Sequence, residues 1–399
     1  MVDQLENSDK NLLDHLYQHV LNLEGYRNVF DDPEKLEVTA DYLSSVLLSF
    51  GLTFDEHQFK IDDVPFRNII GTFEVKDYQP VELLLCAHYD SAPLSPGAND
   101  NASGVAGVLE VTRWLVEQAP TKKFMVAFFT LEEIHPKKEL QIQNALASSG
   151  LVDDELQFLT YHSYALIGEF EKKQEEALKK GATIQASLAF AYEQVQNSAT
   201  KKERAYLKKI IELNKNITRT NWVGESICIG STRWLANYLR ENSPPKAVIN
   251  FEEIGFTTAK KGLQSIPPGI DLTHCKSYKV DLQQELGNFL GIISEKNSQL
   301  LAQIMTSQCE QLVPPLPYVH FALPYNYQEI AGRALDFLRS DHAPFWREGI
   351  PAIAITDTFE FRYPFYHTNA DTLEQLDFPF MGRVCQVARQ AAKELLGKS

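Results

Sequence analysis

Within the stretch Leu83–Val105, LLLCAHYDSAPLSPGANDNASGV, a histidine and two aspartates follow an apolar run: His88, Asp90 and, twelve residues beyond the histidine, Asp100. Leu83 to Ala87 are continuously apolar, as expected of a strand buried on both faces of a largely parallel sheet. Ligands gather at the carboxyl ends of such strands. A histidine there, joined by a carboxylate from a second element, has the makings of a zinc site or of a bridge between two metals. Taken alone, the segment reads equally well as a strand ending in histidine followed by a helix that Asp100 caps, because short motifs recur by chance.

The downstream sequence repeats the pattern. Lys123–Leu131, KFMVAFFTL, is a second buried-strand run, and it ends in Glu132-Glu133. Adjacent carboxylates repel each other unless they are solvated or share a cation. With a cation present they can divide the work, one as ligand and the other as general base for a metal-bound water. A third strand, Ala247–Phe251, runs into Glu252-Glu253. A fourth, Pro351–Thr356, follows Ser340-Asp341-His342 and leads through a Phe/Tyr-rich loop to Tyr366-His367-Thr368. Strand ends therefore present His88 and Asp100, Glu133, Glu252 and His367. This nitrogen and oxygen ligand set, without thiolate, suits one or two zinc ions with open positions.

These residues resemble the zinc exopeptidases that include aminopeptidase Y, the bacterial leucyl aminopeptidases, plasma glutamate carboxypeptidase and, as a divergent branch, glutaminyl cyclase. HYD (88–90), GANDNASG (97–104), EE (132–133), NFEEIG (250–255), SDHAPF (340–345) and YHT (366–368) occur in the family order. The resemblance implies a dizinc aminopeptidase acting on peptides. His88 and Glu252 would bind one zinc, Glu133 and His367 the other, and Asp100 would bridge them. Glu132 would be the general base activating a bridging water, and Asp90 would orient the His88 imidazole. Two further readings remain: a single-zinc glutaminyl cyclase, and a catalytically dead scaffold of the same fold. The scaffold reading predicts lost ligands, and all are present.

There are two departures from the family pattern. It has Asp where this chain has Glu252, which bears on the identity or occupancy of the first metal; Glu253 is held in reserve as a ligand. The G-S pair that follows EE within a few residues in the family corresponds here to Gly230-Ser231. Residues 135–228 therefore read as an inserted helical subdomain beside the expected base, with residues 1–134 and 229–399 forming the catalytic domain. Helix-like stretches at Glu169–Lys180 and Lys201–Lys215 are separated by a break at Gly181. The insertion carries 13 Lys and Arg against 12 Asp and Glu, so the acidity of the chain lies elsewhere. Entering next to the base, the insertion is expected to act as a lid over the site.

The elements that must position these residues follow from periodicity. Strands are expected at Asn68–Val75, Leu83–His88, Phe124–Thr130, Ala247–Phe251 and Ala352–Thr356, with Phe289–Ser294 and Tyr318–Leu323 as further candidates. They form a mixed, mostly parallel α/β sheet with helices on both faces. The amino-terminal segment predicts an amphipathic helix capped at Ser8 or Asp9, burying Leu12, Leu13, Leu16, Val20 and Leu23. His15 and His19 share a helical face, but Leu16 breaks the H-E-x-x-H pattern, so they read as surface or packing residues.

The 399 residues, 44% of them hydrophobic, can bury a large core. A net charge of −15 argues against nucleic acid or an anionic membrane as partner. No apolar run is long enough to span a bilayer. Five scattered cysteines suggest reduced thiols. As written, the chain reads as cytoplasmic; one already trimmed of a signal peptide would read the same and be secreted or periplasmic. Oligomeric state is not encoded in any pattern found.

Overall fold

Alternate residues of the expected central strands face two different cores, and this settles the layering. The computed structural model describes residues 2–76, 80–267 and 270–397, and the side chains of residues 2–9 and 272 lie outside that description. In β3 (Leu83–His88), Leu83, Leu85 and Ala87 enter one apolar cluster while Leu84 and Cys86 enter another. In β4 (Phe124–Phe129), Phe124, Val126 and Phe128 join the first cluster, and Met125, Ala127 and Phe129 the second. A period of two with both faces apolar is what a strand between two helical layers requires.

The other strands are β1 (Thr53–Ile61), β2 (Val64–Phe73), β5 (Val248–Glu252), β6 (Cys275–Tyr278), β7 (Leu290–Ser294), β8 (Tyr318–Ala322) and β9 (Ala352–Thr356). All nine form one sheet in the order β1-β2-β4-β3-β5-β9-β7-β8-β6. The central strands β4, β3, β5 and β9 run parallel. Antiparallel pairing enters at β2–β4 and β1–β2 on one flank, and at β7–β9 and β6–β8 on the other. All seven expected strands are present. β1 and β6 were missed because alternating or mostly exposed edge strands lack the apolar run that marks a central one.

Helices α1 (Val2–Leu23), α2 (Pro33–Ser49) and α3 (Gly104–Glu117) pack on the first face. α1 buries Leu12, Leu16, Val20 and Leu23 as its periodicity predicts, and it starts upstream of the expected cap; Ser8 and Asp9 lie outside the described side chains. Four longer helices and a short turn fill 136–225: α4 (Pro136–Ser149), α5 (Tyr161–Lys179), α6 (Ile184–Val195), α7 (Lys201–Leu213) and α8 (Trp222–Glu225). They enclose an apolar cluster of their own, including Leu166, Phe170, Leu188 and Leu207. Gly181 has φ +87° and breaks the chain between α5 and α6, as expected. α9 (Ile229–Tyr238), α11 (Tyr327–Arg333) and α12 (His342–Arg347) contribute to the second face, whereas α10 (Gln299–Gln311) and α13 (Phe378–Leu396) pack on the first.

The 135–228 segment rejoins the core beside its point of departure. Cys228 N–H donates to Glu132 O and Ile229 N–H to Leu131 O, each at 2.8 Å. Gly230 then passes so close to β4 that a Cβ would lie 2.0 Å from Thr130 O and 2.6 Å from Asn68 Oδ1. Only glycine fits there, which gives the G-S pair a packing role.

Candidate metal centre and active site

Each expected ligand leaves the sheet at a strand end or in the loop after it, and the carboxyl edge brings them together. His88 ends β3 and Glu252 ends β5, with His88 Nε2 3.0 Å from Glu252 Oε1. Asp100 lies in the loop ahead of α3, where Gly104 packs on the Phe251 carbonyl with room for no side chain: a Cβ would lie 2.6 Å from that oxygen. Asp100 Oδ1 is 3.2 Å from His88 Nε2, and its Oδ2 is 3.1 Å from His367 Nε2. Glu133 Oε2 is 3.1 Å from the same His367 nitrogen. Among the described residues, His88/Asp100/Glu252 and Asp100/Glu133/His367 each offer donor atoms within 4.8 Å of one another, and Asp100 belongs to both groups. Glu132 forms a third such group with His88 and Glu133.

The electrostatics call for a cation. Burial opposes charging the His88 ring, yet the charge of Glu252 and hydrogen bonds with Asp100, Asp90 and Glu252 raise its pKa well above the ordinary histidine value. Burial would also raise Asp100, but His367 and His88 hold it below the usual carboxylate range. Burial and the neighbouring Asp100 push Glu133 up to about 6. Burial, opposed by His88 and reinforced by Glu133, keeps Glu132 well above its ordinary value. Glu133 Oε1 is buried without a hydrogen-bond partner, and His88 Nδ1 has Asp90 Oδ1 only at 3.5 Å. Close-set carboxylates and imidazoles, with one carboxylate oxygen unpartnered, fit one or two divalent zinc ions.

Supporting contacts explain the geometry, and several were not legible in the sequence. Asp90 Oδ1 and Oδ2 accept from Glu132 N–H and Glu133 N–H at 3.2 Å, while Oδ1 lies 3.5 Å from His88 Nδ1. Asp90 thus grips the Glu132-Glu133 turn more closely than the imidazole it was expected to orient. Ser340 Oγ donates to Glu252 Oε2, and Asn250 Nδ2 donates to Ser340 Oγ. Asp371 accepts from Asn99 N–H at 2.8 Å and Asp100 N–H at 3.1 Å, and the Tyr363 hydroxyl donates to it. Cys228 Sγ donates to Glu132 Oε1 at 3.3 Å.

Arg27 is the largest omission. It is fully buried and donates to the carbonyls of Leu23, Gly25, Tyr89, Pro96 and Gly97, while its backbone N–H donates to Ser91 Oγ. One guanidinium therefore clamps the loops carrying Asp90 and Asp100. It had no sequence signal because the partners that join the loops, Tyr89 O, Pro96 O and Gly97 O, are backbone atoms some sixty to seventy residues away.

Glu253 leaves the strand at φ +46°, and its Oε2 accepts from Asn99 Nδ2 at 3.0 Å; it belongs to none of the three donor groups. His342 packs edge-on against Trp346 with Nε2 2.9 Å from Phe337 O, and burial pushes its pKa down to about 4. It is a core residue. His15 and His19 each lie 3.5 Å from the buried Glu110, which Arg113 and Arg389 already pair.

Beside the cluster opens a cavity of about 260 Å³. Glu132, Glu133, Tyr366 and His367 line it together with Leu178 and Trp222 of the 135–228 segment.

An α/β sheet with such a cluster at its carboxyl edge defines a metallohydrolase-like class. The sequence pattern of peptidase family M28 matches residues 68–273 and 292–392, and the chain belongs to that family. The chain is 34% identical over 114 residues to the uncharacterized protein YfbL of Escherichia coli, an alignment covering 26% of this chain and 34% of that protein. It is 41% identical over 69 residues to the aminopeptidase YwaD of Bacillus subtilis, covering 17% and 15%. These alignments span about a third or less of the relatives' lengths. Among solved structures, the fold resembles the Legionella pneumophila LapA aminopeptidase at a TM-score of 0.57 and 14% identity, over 100% of this chain and 75% of that one. It also resembles the Porphyromonas gingivalis glutaminyl cyclase at a TM-score of 0.52 and 17% identity, over 97% and 98%.

Proposed function

We propose that the protein is a zinc aminopeptidase that hydrolyses the first peptide bond of peptides, with two zinc ions per chain. The observation that carries this reading is Asp100, whose two carboxylate oxygens face two different histidines at 3.2 and 3.1 Å. His88 and Glu252 would hold one ion, Glu133 and His367 the other, with Asp100 shared. Zinc bound there supplies Lewis acidity toward the scissile carbonyl and a readily ionised water. Glu132, buried beside Glu133 and His88, takes the proton from the attacking water and passes it to the departing amine. Burial, reinforced by Glu133, raises its pKa above that of an ordinary glutamate, the direction expected of a general acid–base. Asp90 and Cys228 hold that carboxylate's position through the turn amides and the thiol.

The 135–228 segment acts as a lid in this reading, supported by Glu175, Leu178, Lys179, Trp222 and Ile227 among the residues that line the cavity. A glutaminyl cyclase is the second reading, favoured by Glu252 in place of the family's aspartate. Zinc content measured beside turnover of aminoacyl-amides and of peptides with amino-terminal glutamine separates the two. Two zinc ions with amide hydrolysis support the aminopeptidase. One zinc with pyroglutamate formation overturns it in favour of the cyclase.

A further inference from the structure

The 135–228 segment has a groove that the proposed chemistry does not use. Helix α7 carries Lys201, Lys202, Arg204, Lys208 and Lys209 against only Glu203 and Glu212. Most of these groups are engaged. Glu203 is buried and accepts from Ser163 Oγ at 2.7 Å and Thr200 N–H at 2.6 Å, and Glu212 pairs with Lys215. Arg204 donates to the carbonyls of Gln196 and Ala199, and Lys208 lies over the Tyr192 ring. Lys201, Lys202 and Lys209 remain, and all three line an open groove of about 630 Å³ between α7 and α4. Asn144, Ser148 and Tyr206 line it as well, and no carboxylate of a described residue does. Lys202 Nζ donates to Gly150 O at 3.1 Å, but no ion pair among the described residues engages any of the three lysines. In a chain of net charge −15, this is a local reversal of sign.

A second observation points to a ligand. Tyr206 is only 8% exposed, lines the groove and makes no hydrogen bond with a described residue. Buried hydroxyls are ordinarily bonded. Burial, with Glu171 and Glu139 nearby, pushes its pKa up to about 12, so it stays a donor at neutral pH, and neither carboxylate lines the groove. The spacing of the charges describes the ligand's shape. Lys202 and Lys209 stand two turns apart on one face of α7, about 10 Å along its axis. One phosphate is too small to meet both. An extended peptide with three residues per turn and a rise of about 3.1 Å presents side chains three residues apart at nearly that distance on one side.

We propose that this groove docks an acidic peptide segment of a partner protein. Carboxylates three residues apart meet Lys202 and Lys209, Lys201 adds positive charge at one end, and an acceptor on the peptide takes the Tyr206 hydroxyl. The proposal does not depend on the aminopeptidase reading, because no residue of the groove lines the cavity at the metal cluster.

The test titrates fluorescein-labelled hexaglutamate with the full chain at low salt and follows fluorescence polarisation. The wild-type chain should bind it saturably and should not bind hexalysine. Lys202→Glu combined with Lys209→Glu should weaken binding by about tenfold or more, the joint effect of two charge pairs turned from attraction to repulsion. Tyr206→Phe should weaken it by about threefold, as loss of one hydrogen bond does. Lys172→Glu combined with Lys180→Glu makes the same change of net charge outside the groove and should weaken binding by less than about twofold. All four lysines are exposed, so both double variants should keep the fold. No binding by the wild-type chain, or equal effects of the two double variants, overturns the proposal. Pyrophosphate or a short oligothymidylate competing at lower concentration than unlabelled hexaglutamate overturns it in favour of a phosphate site. A dimer that Lys202→Glu with Lys209→Glu dissociates in sedimentation overturns it in favour of a second copy of this chain.

Discussion

Glu132 and Glu133 are neighbours in sequence with different surroundings, and their proposed roles differ for that reason. Glu133 faces His367, whereas Glu132 is gripped by Cys228 and sits against both His88 and Glu133. Glu132→Gln is expected to keep fold and zinc content while turnover falls by about 10²–10⁴-fold, the usual contribution of a general acid–base. Retention of near-wild-type turnover with zinc bound would remove Glu132 from the mechanism. Asp100→Asn should weaken both metal sites together, because a shared carboxylate offsets the repulsion of two cations; zinc titration showing two tight ions would contradict the bridge. Glu252→Asp should perturb only the site of His88. The Arg27 clamp predicts a further effect. Arg27→Met removes a donor from five carbonyls; Pro96 O and Gly97 O keep the Gly25 and Ala102 amides, and leaving Leu23 O, Gly25 O and Tyr89 O without the guanidinium costs about 3 kcal/mol or more. Thermal denaturation should register that loss, and a midpoint within a degree of wild type would show that water or rearranged backbone replaces the clamp.

We propose that the 135–228 segment is an inserted, separable element. It has its own apolar cluster, and it leaves and returns through paired backbone bonds at Leu131-Glu132 and Cys228-Ile229. Arg219 fastens it to the core, donating to Leu178 O and Ala182 O within the insertion and to Ala331 O of α11. Replacing its helices with a short loop between Ile134 and Ile229 should therefore leave zinc binding intact and shift preference toward longer peptides. Identical length preference in a folded, zinc-loaded short form would reduce the segment to decoration. Its longer polar helices were partly legible: α5 and α7 fall on the expected stretches, though α5 begins at Tyr161, well before Glu169. α4 and α6 were not read, because their short apolar stripes are matched only by the neighbours they pack against.

Across the whole molecule, stability and metal content should be linked. The described residues gather Asp90, Asp100, Glu132, Glu133 and Glu252, all buried or nearly so, around two histidines at the carboxyl edge of one sheet. Removing zinc leaves that charge to be neutralised by protons alone. A ligand that binds only the folded state contributes about 2.7 kcal/mol at a hundredfold excess over Kd. Chelation should accordingly lower the unfolding midpoint by several degrees, and added zinc should restore it. Coincident melting curves with and without zinc would mean that the cluster is not a metal site. No helix among the described residues is long and apolar enough to cross a membrane.

The central strands, the residues at their ends and the resemblance to zinc exopeptidases were all readable in one dimension. A strand buried on both faces must be continuously apolar, and a charged group directly after such a run has to emerge at the sheet edge. His88, Glu133 and Glu252 were visible for that reason, as was Asp100 in its glycine-rich loop. Contacts between distant segments were not visible, because they depend on backbone atoms and on how close two chains approach. The Arg27 clamp, the Ser340 hydroxyl on Glu252 and the return of Cys228 onto Glu132 all belong to this kind. Periodicity reports which way a side chain faces relative to its own strand or helix. It carries no information about which carbonyl, hundreds of atoms along the chain, folding brings within 3 Å of it.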